Sequence, residues 1–369
     1  MNQNTKKIAL VADWITHWGG AERVFAKLME MYPEADIYTS VFFPERPEVF
    51  KGRKIHTSFI QYIPFLNRKH KLCMLLRPLA FWSFDFSQYD LVISSSSAEA
   101  KGIYTRWKTK HITYCHTPTR YLWSHSDAYR GFLEFGWLNW FAKLVIPPAF
   151  AIMRRWDKRA AQRPDIFIAN SGTTRDRISE YYERESRVVY PFLTNEEWDM
   201  KNEEWPRNYF MCLWRVVPYK KFDIAIEACN ALKIPLKIFT STHNAVTDAL
   251  QKISWPTIEW VFDGSDKDVI RALEWAKWFI MPQEEDFGIV ALEAMAHGAP
   301  VIAYGDGGAT ETVIHGQTGL LFSEQTPASL AVALERVDDI PWNHDLIREH
   351  GMSFSEGRFE EGIREVVGF

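Results

Sequence analysis

Glu285 and Glu293 are separated by seven intervening residues in the run Gln283-Glu-Glu-Asp-Phe-Gly-Ile-Val-Ala-Leu-Glu293. The run reads as a strand end, a turn and the start of a helix, with Glu285 in the turn and Glu293 about one turn into the helix. Both carboxylates can then face one ligand and accept hydrogen bonds from sugar hydroxyls. The first backbone N–H groups of the helix, near Phe287, Gly288, Ile289 and Val290, have no partner within it and suit phosphate oxygens. The loop could hold a ribose and a hexose at the two ends of a diphosphate. A glutamate near a helix N-terminus is also a plain dipole contact, worth roughly 0.3–1 kcal/mol.

A second group is Arg215 at a strand end with Lys220 five residues on, before a helical pattern. Two cations at the carboxyl edge of a parallel sheet fit a pyrophosphate and stabilise the charge of a departing nucleoside diphosphate. Two surface cations in a loop are common, so the pair gains meaning from its neighbours. One of these is Gly305-Asp-Gly-Gly308-Ala-Thr310-Glu311, a glycine-rich turn that opens a helix just downstream of the glutamates. Another is His116, delivered by a strand to the loop Thr117-Pro-Thr-Arg120. A neutral histidine there could hydrogen-bond a sugar hydroxyl or a leaving oxygen, although a lone histidine is more often structural.

These residues require a scaffold of buried strands and covering helices. Short apolar runs at Ile8–Ala12, Ile37–Phe42, Leu91–Ser94, His111–Cys115, Ile166–Ala169 and Arg187–Tyr190 predict a parallel sheet in the first half. Ala21, Val24, Phe25 and Leu28 predict a helix after Gly19-Gly20. In the second half the strands are Phe210–Leu213, Leu236–Phe239, Ile258–Phe262, Phe279–Met281 and Pro300–Ala303. Helices are predicted at Ile224–Leu232, Val269–Trp278 and Ile289–His297, the last stopped by Gly298, and Thr326-Pro327 opens another. Such alternation implies a doubly wound α/β architecture. Domains are expected at 1–190 and 207–349, with a linker at 191–206 and a final helix within 350–369 returning to the first domain.

With 369 residues and a net charge of −4, the chain is long enough for two domains and has no electrostatic bias toward nucleic acid. Its four cysteines, Cys73, Cys115, Cys212 and Cys229, form neither a metal spacing nor a disulfide framework, which points to a reducing, cytoplasmic setting. The polar start, Met1 to Lys7, does not read as a signal peptide. The apolar stretch from Phe135 to Met153 carries Lys143 and Pro147-Pro148, which argues against a transmembrane helix. Basic residues beside aromatics in 59–86, and Arg154-Arg155 closing the stretch 132–155, suit either a core helix with solvated cations or peripheral contact with anionic lipid on the inner face of the cytoplasmic membrane. Asp266-Lys-Asp268 spells a metal-binding triplet, but Ser265 before it predicts a helix cap instead.

Taken in order, these motifs resemble family 4 of the retaining glycosyltransferases, of GT-B fold. The likeness runs from Val11-Ala-Asp13-Trp and Gly19-Gly-Ala-Glu22-Arg through Asp90-Leu-Val-Ile-Ser-Ser-Ser, His116-Thr-Pro, Arg155-Trp-Asp157 and Ala169-Asn-Ser171. It continues through Arg215…Lys220, Glu285…Glu293 and Gly307-Gly-Ala-Thr-Glu311-Thr-Val to Gly319-Leu-Leu-Phe. The nearest likeness is to bacterial mannosyltransferases of O-antigen and exopolysaccharide synthesis.

The resemblance implies two Rossmann-like domains facing a central cleft, the first for acceptor and the second for donor. Arg215 and Lys220 would hold the donor diphosphate, Glu293 the ribose and Glu285 the transferred sugar. Backbone from Phe287 to Val290 would touch phosphate and sugar, and His116 would contact the sugar. Gly19 and Gly20 would let the first loop approach the donor, and Arg120 is the candidate for an acceptor phosphate. No metal and no cofactor are implied. The co-substrate is a nucleoside-diphosphate sugar, GDP-mannose first and a UDP-sugar second, and the acceptor a glycan or a polyprenyl-diphosphate-linked oligosaccharide. A non-catalytic sugar-nucleotide-binding subunit and a sugar-nucleotide epimerase share many of these features. Two departures from the family pattern, Trp214 before the arginine and Thr240-Ser-Thr-His243 after the next strand, bear on the nucleotide pocket.

Overall fold

The computed structural model describes residues 6–64, 75–124, 139–194, 207–213 and 215–368, with the backbone alone of 139–146. The expected linker from 195 to 206, Trp214 and Cys73 lie outside the described residues, as does much of the apolar stretch before 139. The chain divides into two compact units. Unit 1 is Met1–Tyr190 with Glu360–Phe369, and unit 2 is Pro191–Phe359.

Unit 1 holds one sheet of seven parallel strands: β1 (Ile8–Ala12), β2 (Asp36–Thr39), β3 (Ile55–Thr57), β4 (Leu91–Ser96), β5 (Lys110–Cys115), β6 (Ile166–Ala169) and β7 (Arg187–Val188), in the order β3-β2-β1-β4-β5-β6-β7. Its helices are α1 (Gly20–Met31), α2 (Arg77–Trp82), α3 (Asn139–Ala160) and α4 (Gly172–Tyr182). Unit 2 holds six parallel strands: β8 (Tyr209–Leu213), β9 (Leu236–Thr240), β10 (Ile258–Phe262), β11 (Ala276–Met281), β12 (Val301–Tyr304) and β13 (Gly319–Phe322), in the order β10-β9-β8-β11-β12-β13. Its helices are α5 (Phe222–Leu232), α6 (Ala245–Ile253), α7 (Asp266–Trp275), α8 (Ile289–Ala296), α9 (Ala309–Thr312), α10 (Pro327–Glu335) and α11 (His344–Met352). The last helix, α12 (Glu356–Val367), carries the chain back into unit 1, where Lys27 pairs with Glu360 at 2.9 Å and Lys110 Nζ donates to the Val367 carbonyl at 3.0 Å.

Both sheets are doubly wound. In unit 2, Phe210 and Cys212 of β8 with Trp278 and Ile280 of β11 belong to the core under α5 and α10. The alternate residues Tyr209, Met211, Phe279 and Met281 belong to the core under α8. Period-two alternation with both faces apolar is the reason these strands read as continuous hydrophobic runs.

Several boundaries differ from expectation. The helix predicted from Val269 to Trp278 runs instead from Asp266 to Trp275, and Ala276 starts a strand. Ala276 and Trp278 pair with Tyr209 and Phe210 of β8 across a bulge, so long-range pairing overrides the local helical pattern. Strands β3 and β13 were not predicted; they are short and sit at or near sheet edges. β2 ends at Thr39 and β7 at Val188, short of the expected Phe42 and Tyr190. Pro147 and Pro148 lie inside α3. Phe150 and Met153, just beyond them, pack on Leu122, which holds the helix together after the lost local hydrogen bonds. No helix among the described residues is long and apolar enough to cross a membrane.

Candidate functional site

In an open parallel sheet, ligands bind outside the carboxyl ends of the strands, where strand order reverses and neighbouring helices leave in opposite directions. The order places that point between β1 and β4 in unit 1 and between β8 and β11 in unit 2. In each unit a charged side chain that follows the first strand reaches across to the loop that follows the second.

In unit 2 that side chain is Lys220, on a single tight turn (Pro218–Lys220) between β8 and α5. Its Nζ donates to Glu285 Oε1, on the loop after β11, and both side chains are buried. Gln283 Nε2 donates to the same oxygen at 3.1 Å. The two residues assigned separately to diphosphate and sugar are thus one ion pair, and a diphosphate that takes Lys220 competes with Glu285 for its charge.

The glycine-rich turn locks this loop from the other side. Gly308 N–H donates to the Glu285 carbonyl at 2.7 Å, and Glu285 and Gly307 form a parallel bridge. A Cβ on Gly308 would stand 2.6 Å from the Phe287 carbonyl oxygen and 2.7 Å from that of Asp286, so only glycine allows the approach. The helix that follows it, α9, has four residues. Gly288, at φ +84°, turns the loop into α8, and no side chain caps that helix. Its first N–H groups, at Ile289 and Val290, have no partner within the helix and follow directly on the loop that carries Glu285. Glu293 lies one turn along α8 and is half-buried, while Phe287 is buried against Phe354, with ring centroids 5.9 Å apart.

Arg215 is exposed on the loop after β8. That loop is tied to the segment after β9: Val216 N–H donates to Thr242 Oγ1 at 3.1 Å, and Asn244 Nδ2 donates to the Val216 carbonyl at 3.2 Å. The unusual Thr240–His243 stretch therefore supports the Arg215 loop. Asp268 is committed to a capping box: its Oδ2 accepts from Ser265 N–H at 2.9 Å and Ser265 Oγ at 2.6 Å. These bonds hold its carboxyl below the ordinary value.

In unit 1 the corresponding side chain is Asp13, directly after β1. Its carboxylate accepts from the backbone N–H groups of Ser97 (2.6 Å), Ala98 (2.9 Å) and Ala100 (2.6 Å), which shapes the loop after β4. Burial raises its pKa, and the backbone hydrogen bonds work against that rise. Asp13, Trp14, Glu22, Phe25, Ser95 and His116 line a small pocket of about 60 Å³. His116 Nε2 pairs with Ser95 Oγ at 2.7 Å. Gly20 opens α1, and Gly19 before it is extended, a conformation open to any residue; a Cβ there would stand 3.4 Å from Glu22 Oε2.

The loop that carries His116 and Arg120 is anchored from beneath by Asp157 on α3. This fully buried carboxylate accepts from Lys101 Nζ (2.6 Å), Thr119 Oγ1 (2.8 Å), Trp123 Nε1 (2.8 Å) and the Tyr182 hydroxyl (2.7 Å). Lys101 Nζ also donates to Thr119 Oγ1 at 3.0 Å. The loops after β4 and β5 are thereby tied into one unit, and Arg120 sits half-buried at its surface.

The structure thus gathers Lys220, Glu285, Phe287 to Val290 and Gly307-Gly308 at one crevice, and His116 beside Asp13 at the other. Sequence reasoning gave no role to Asp13, Ser95, Asp157 or Gln283. Asp13 was visible as a charged residue inside an apolar run, whereas Asp157 sits among Arg154, Arg155, Lys158 and Arg159 and nothing local marks it as buried. Ser95 becomes a partner of His116 only through the pairing of β4 with β5.

Residues 18–196 match the model of Glycosyltransferase Family 4, and residues 195–344 match that of Glycosyl transferases group 1. The chain is glycosyltransferase family 4-like. An uncharacterized glycosyltransferase of Methanocaldococcus jannaschii is 27% identical over 223 residues, 58% of this chain and 62% of that protein. An alpha-1,3/1,6-mannosyltransferase of Neurospora crassa is 34% identical over 143 residues, 36% of this chain and 30% of its own length. The matches thus span less than two thirds of these relatives. The Anabaena protein HepE, solved in complex with UDP and glucose, superposes with a TM-score of 0.70 at 17% identity, over 98% of this family 4-like chain and 99% of its own. That likeness concerns the fold: two doubly wound parallel-sheet units of the GT-B type.

Proposed function

We propose that this chain is a retaining hexosyltransferase that moves a sugar, mannose in the first instance, from a nucleoside diphosphate to a glycan or a polyprenyl-diphosphate-linked oligosaccharide. The single observation that carries the reading is the crevice of unit 2. A buried Lys–Glu pair, an uncapped helix N-terminus and two glycines packed against the Glu285 loop converge at the point where strand order reverses.

Lys220, Arg215 and the N–H groups at the start of α8 bind the diphosphate, and Glu293 accepts from the ribose hydroxyls. Glu285 accepts from hydroxyls of the transferred sugar. In the reaction the acceptor oxygen bonds to the anomeric carbon on the face that the phosphate oxygen leaves. The acceptor proton passes to the departing diphosphate, and fixed cations and dipoles stabilise the charge that develops there. No side-chain nucleophile is required, and the protein supplies charge stabilisation without a metal. Arg120, held at the surface by the Asp157 network, meets the acceptor phosphate.

A GDP-linked donor is the first choice, in keeping with the mannosyltransferase among the relatives, and a UDP-linked donor the second, in keeping with the UDP bound by the Anabaena protein. The test is calorimetric titration of GDP, UDP and their sugars in the presence of chelator, followed by product analysis. Transfer gives free nucleoside diphosphate and a glycosylated acceptor. Epimerised sugar nucleotide without transfer, or binding without turnover, would refute it in favour of an epimerase or a non-catalytic subunit.

A further inference from the structure

Surface helices normally turn apolar residues inward, and α2 departs from this. Its inner side is filled: Arg77, Pro78, Ala80 and Phe81 are buried. Leu79 and Trp82, three positions apart on the other side, are 45% and 40% exposed, and Leu75 and Leu76 lead into them, also exposed. The stripe continues across the sequence. The Trp82 ring lies 5.6 Å from that of Tyr104, itself 54% exposed, and Trp107 on the same loop is 90% exposed. A monomer seldom leaves such an apolar run uncovered without a partner for it.

The charges that frame it identify that partner. The Arg163 guanidinium sits 3.7 Å over the Tyr104 ring and 5.7 Å from that of Trp82, and it donates to the Tyr104 hydroxyl at 2.7 Å. Along α3 toward Arg163, Arg155 and Arg159 recur every four residues, both exposed. Arg106 and Lys108 flank Trp107, and Lys108 Nζ lies 5.0 Å over the indole. Asp85, near Arg106, is a carboxylate at the edge of this basic rim. Trp and Tyr beside leucines, ringed by arginine and lysine, match the boundary between lipid headgroups and acyl chains. Amphipathic rings settle there, and cations meet anionic phosphate.

We infer that the face formed by α2, the 104–108 loop and the outward side of α3 docks unit 1 on an anionic phospholipid surface. Leu79, Trp82 and Trp107 enter the headgroup layer, and Arg155, Arg159 and Arg163 lie along it. This deepens the reading of a lipid-linked acceptor, yet it needs neither nucleotide nor acceptor to be observed. The two can therefore fail separately.

The experiment is co-sedimentation of the full chain with phosphatidylcholine vesicles, with and without an equal part of phosphatidylglycerol, at low and high salt. The wild type is expected to bind only the anionic vesicles and to be released by salt. The Leu79→Ser, Trp82→Ala, Trp107→Ala variant is expected to bind about tenfold or more weakly, from the lost apolar contact. The pair Arg155→Glu, Arg159→Glu is expected to lose binding at low salt. Unchanged circular dichroism and unchanged nucleotide binding by unit 2 confirm that each variant is folded. Absence of binding to anionic vesicles at low salt, or equal binding by both variants and wild type, overturns the inference. So does concentration-dependent self-association abolished by the apolar variant, since a second copy would then cover this face.

Discussion

The Lys220–Glu285 pair yields opposite predictions for its two partners. With Glu285→Gln, Lys220 loses its anionic partner but keeps a nearby amide. A nucleoside diphosphate then no longer competes with a carboxylate for the lysine. A hydrogen bond to a charged group is worth about 1.5–3 kcal/mol, so GDP or UDP should bind roughly 10- to 100-fold more tightly to this variant. With Lys220→Met, the diphosphate loses its buried cation and meets an unpaired Glu285, and binding should weaken by a similar factor. Both variants should lose stability without ligand, because removing one member of a buried pair costs about 3–5 kcal/mol; partial exposure of the site places the expectation at the low end. Added nucleotide should restore much of that loss in Glu285→Gln and little in Lys220→Met. Glu285→Gln should nevertheless transfer sugar poorly, since its sugar-binding carboxylate is gone. Titration calorimetry with the nucleoside diphosphate, beside thermal melts with and without it, measures all of this. If both substitutions weaken diphosphate binding alike, Glu285 is a partner of the phosphate site and the competition argument is wrong.

Other parts of the structure make independent predictions. Gly308→Ala drives a methyl group into the carbonyls of Phe287 and Asp286; overpacking of this kind costs about 1–3 kcal/mol, and chemical denaturation should show it together with weakened nucleotide binding. Asp157→Asn removes the charge opposite the buried Lys101 and should destabilise unit 1 by about 3–5 kcal/mol. The added change Lys101→Met should recover part of that in the same denaturation curves, and a double variant less stable than the single one would count against the network. Burial holds His111 neutral with its pKa near 3 and His297 near 4. Both values are depressed, so the unfolded chain takes up protons first. Their contribution to stability is complete above about pH 6.5 and falls as pH drops from there toward 4, by up to about 1.4 kcal/mol per pH unit for each. Urea melts at pH 7 and pH 5 measure the change, and His111→Gln should remove its share of it.

Local sequence determined most of the elements. The period-two and period-3.6 patterns, the Ser265–Asp268 capping box and the Thr326 cap act within about four residues, and the structure contains them as read. The turn from Gln283 to Gly288 and its helix were legible for the same reason, whereas the pairing of Lys220 with Glu285 was not. The switch at Ala276, where a helical pattern yields to a strand because β8 lies alongside, was decided by tertiary structure. So was the passage of α3 through Pro147-Pro148, sustained by packing on Leu122. The contact of Lys220 with Glu285 spans 65 residues, Ser95 with His116 21, and Asp157 with Lys101 56. Such contacts depend on strand order, and strand order is the outcome of which apolar faces bury one another, a property of the whole chain that no short window of sequence contains.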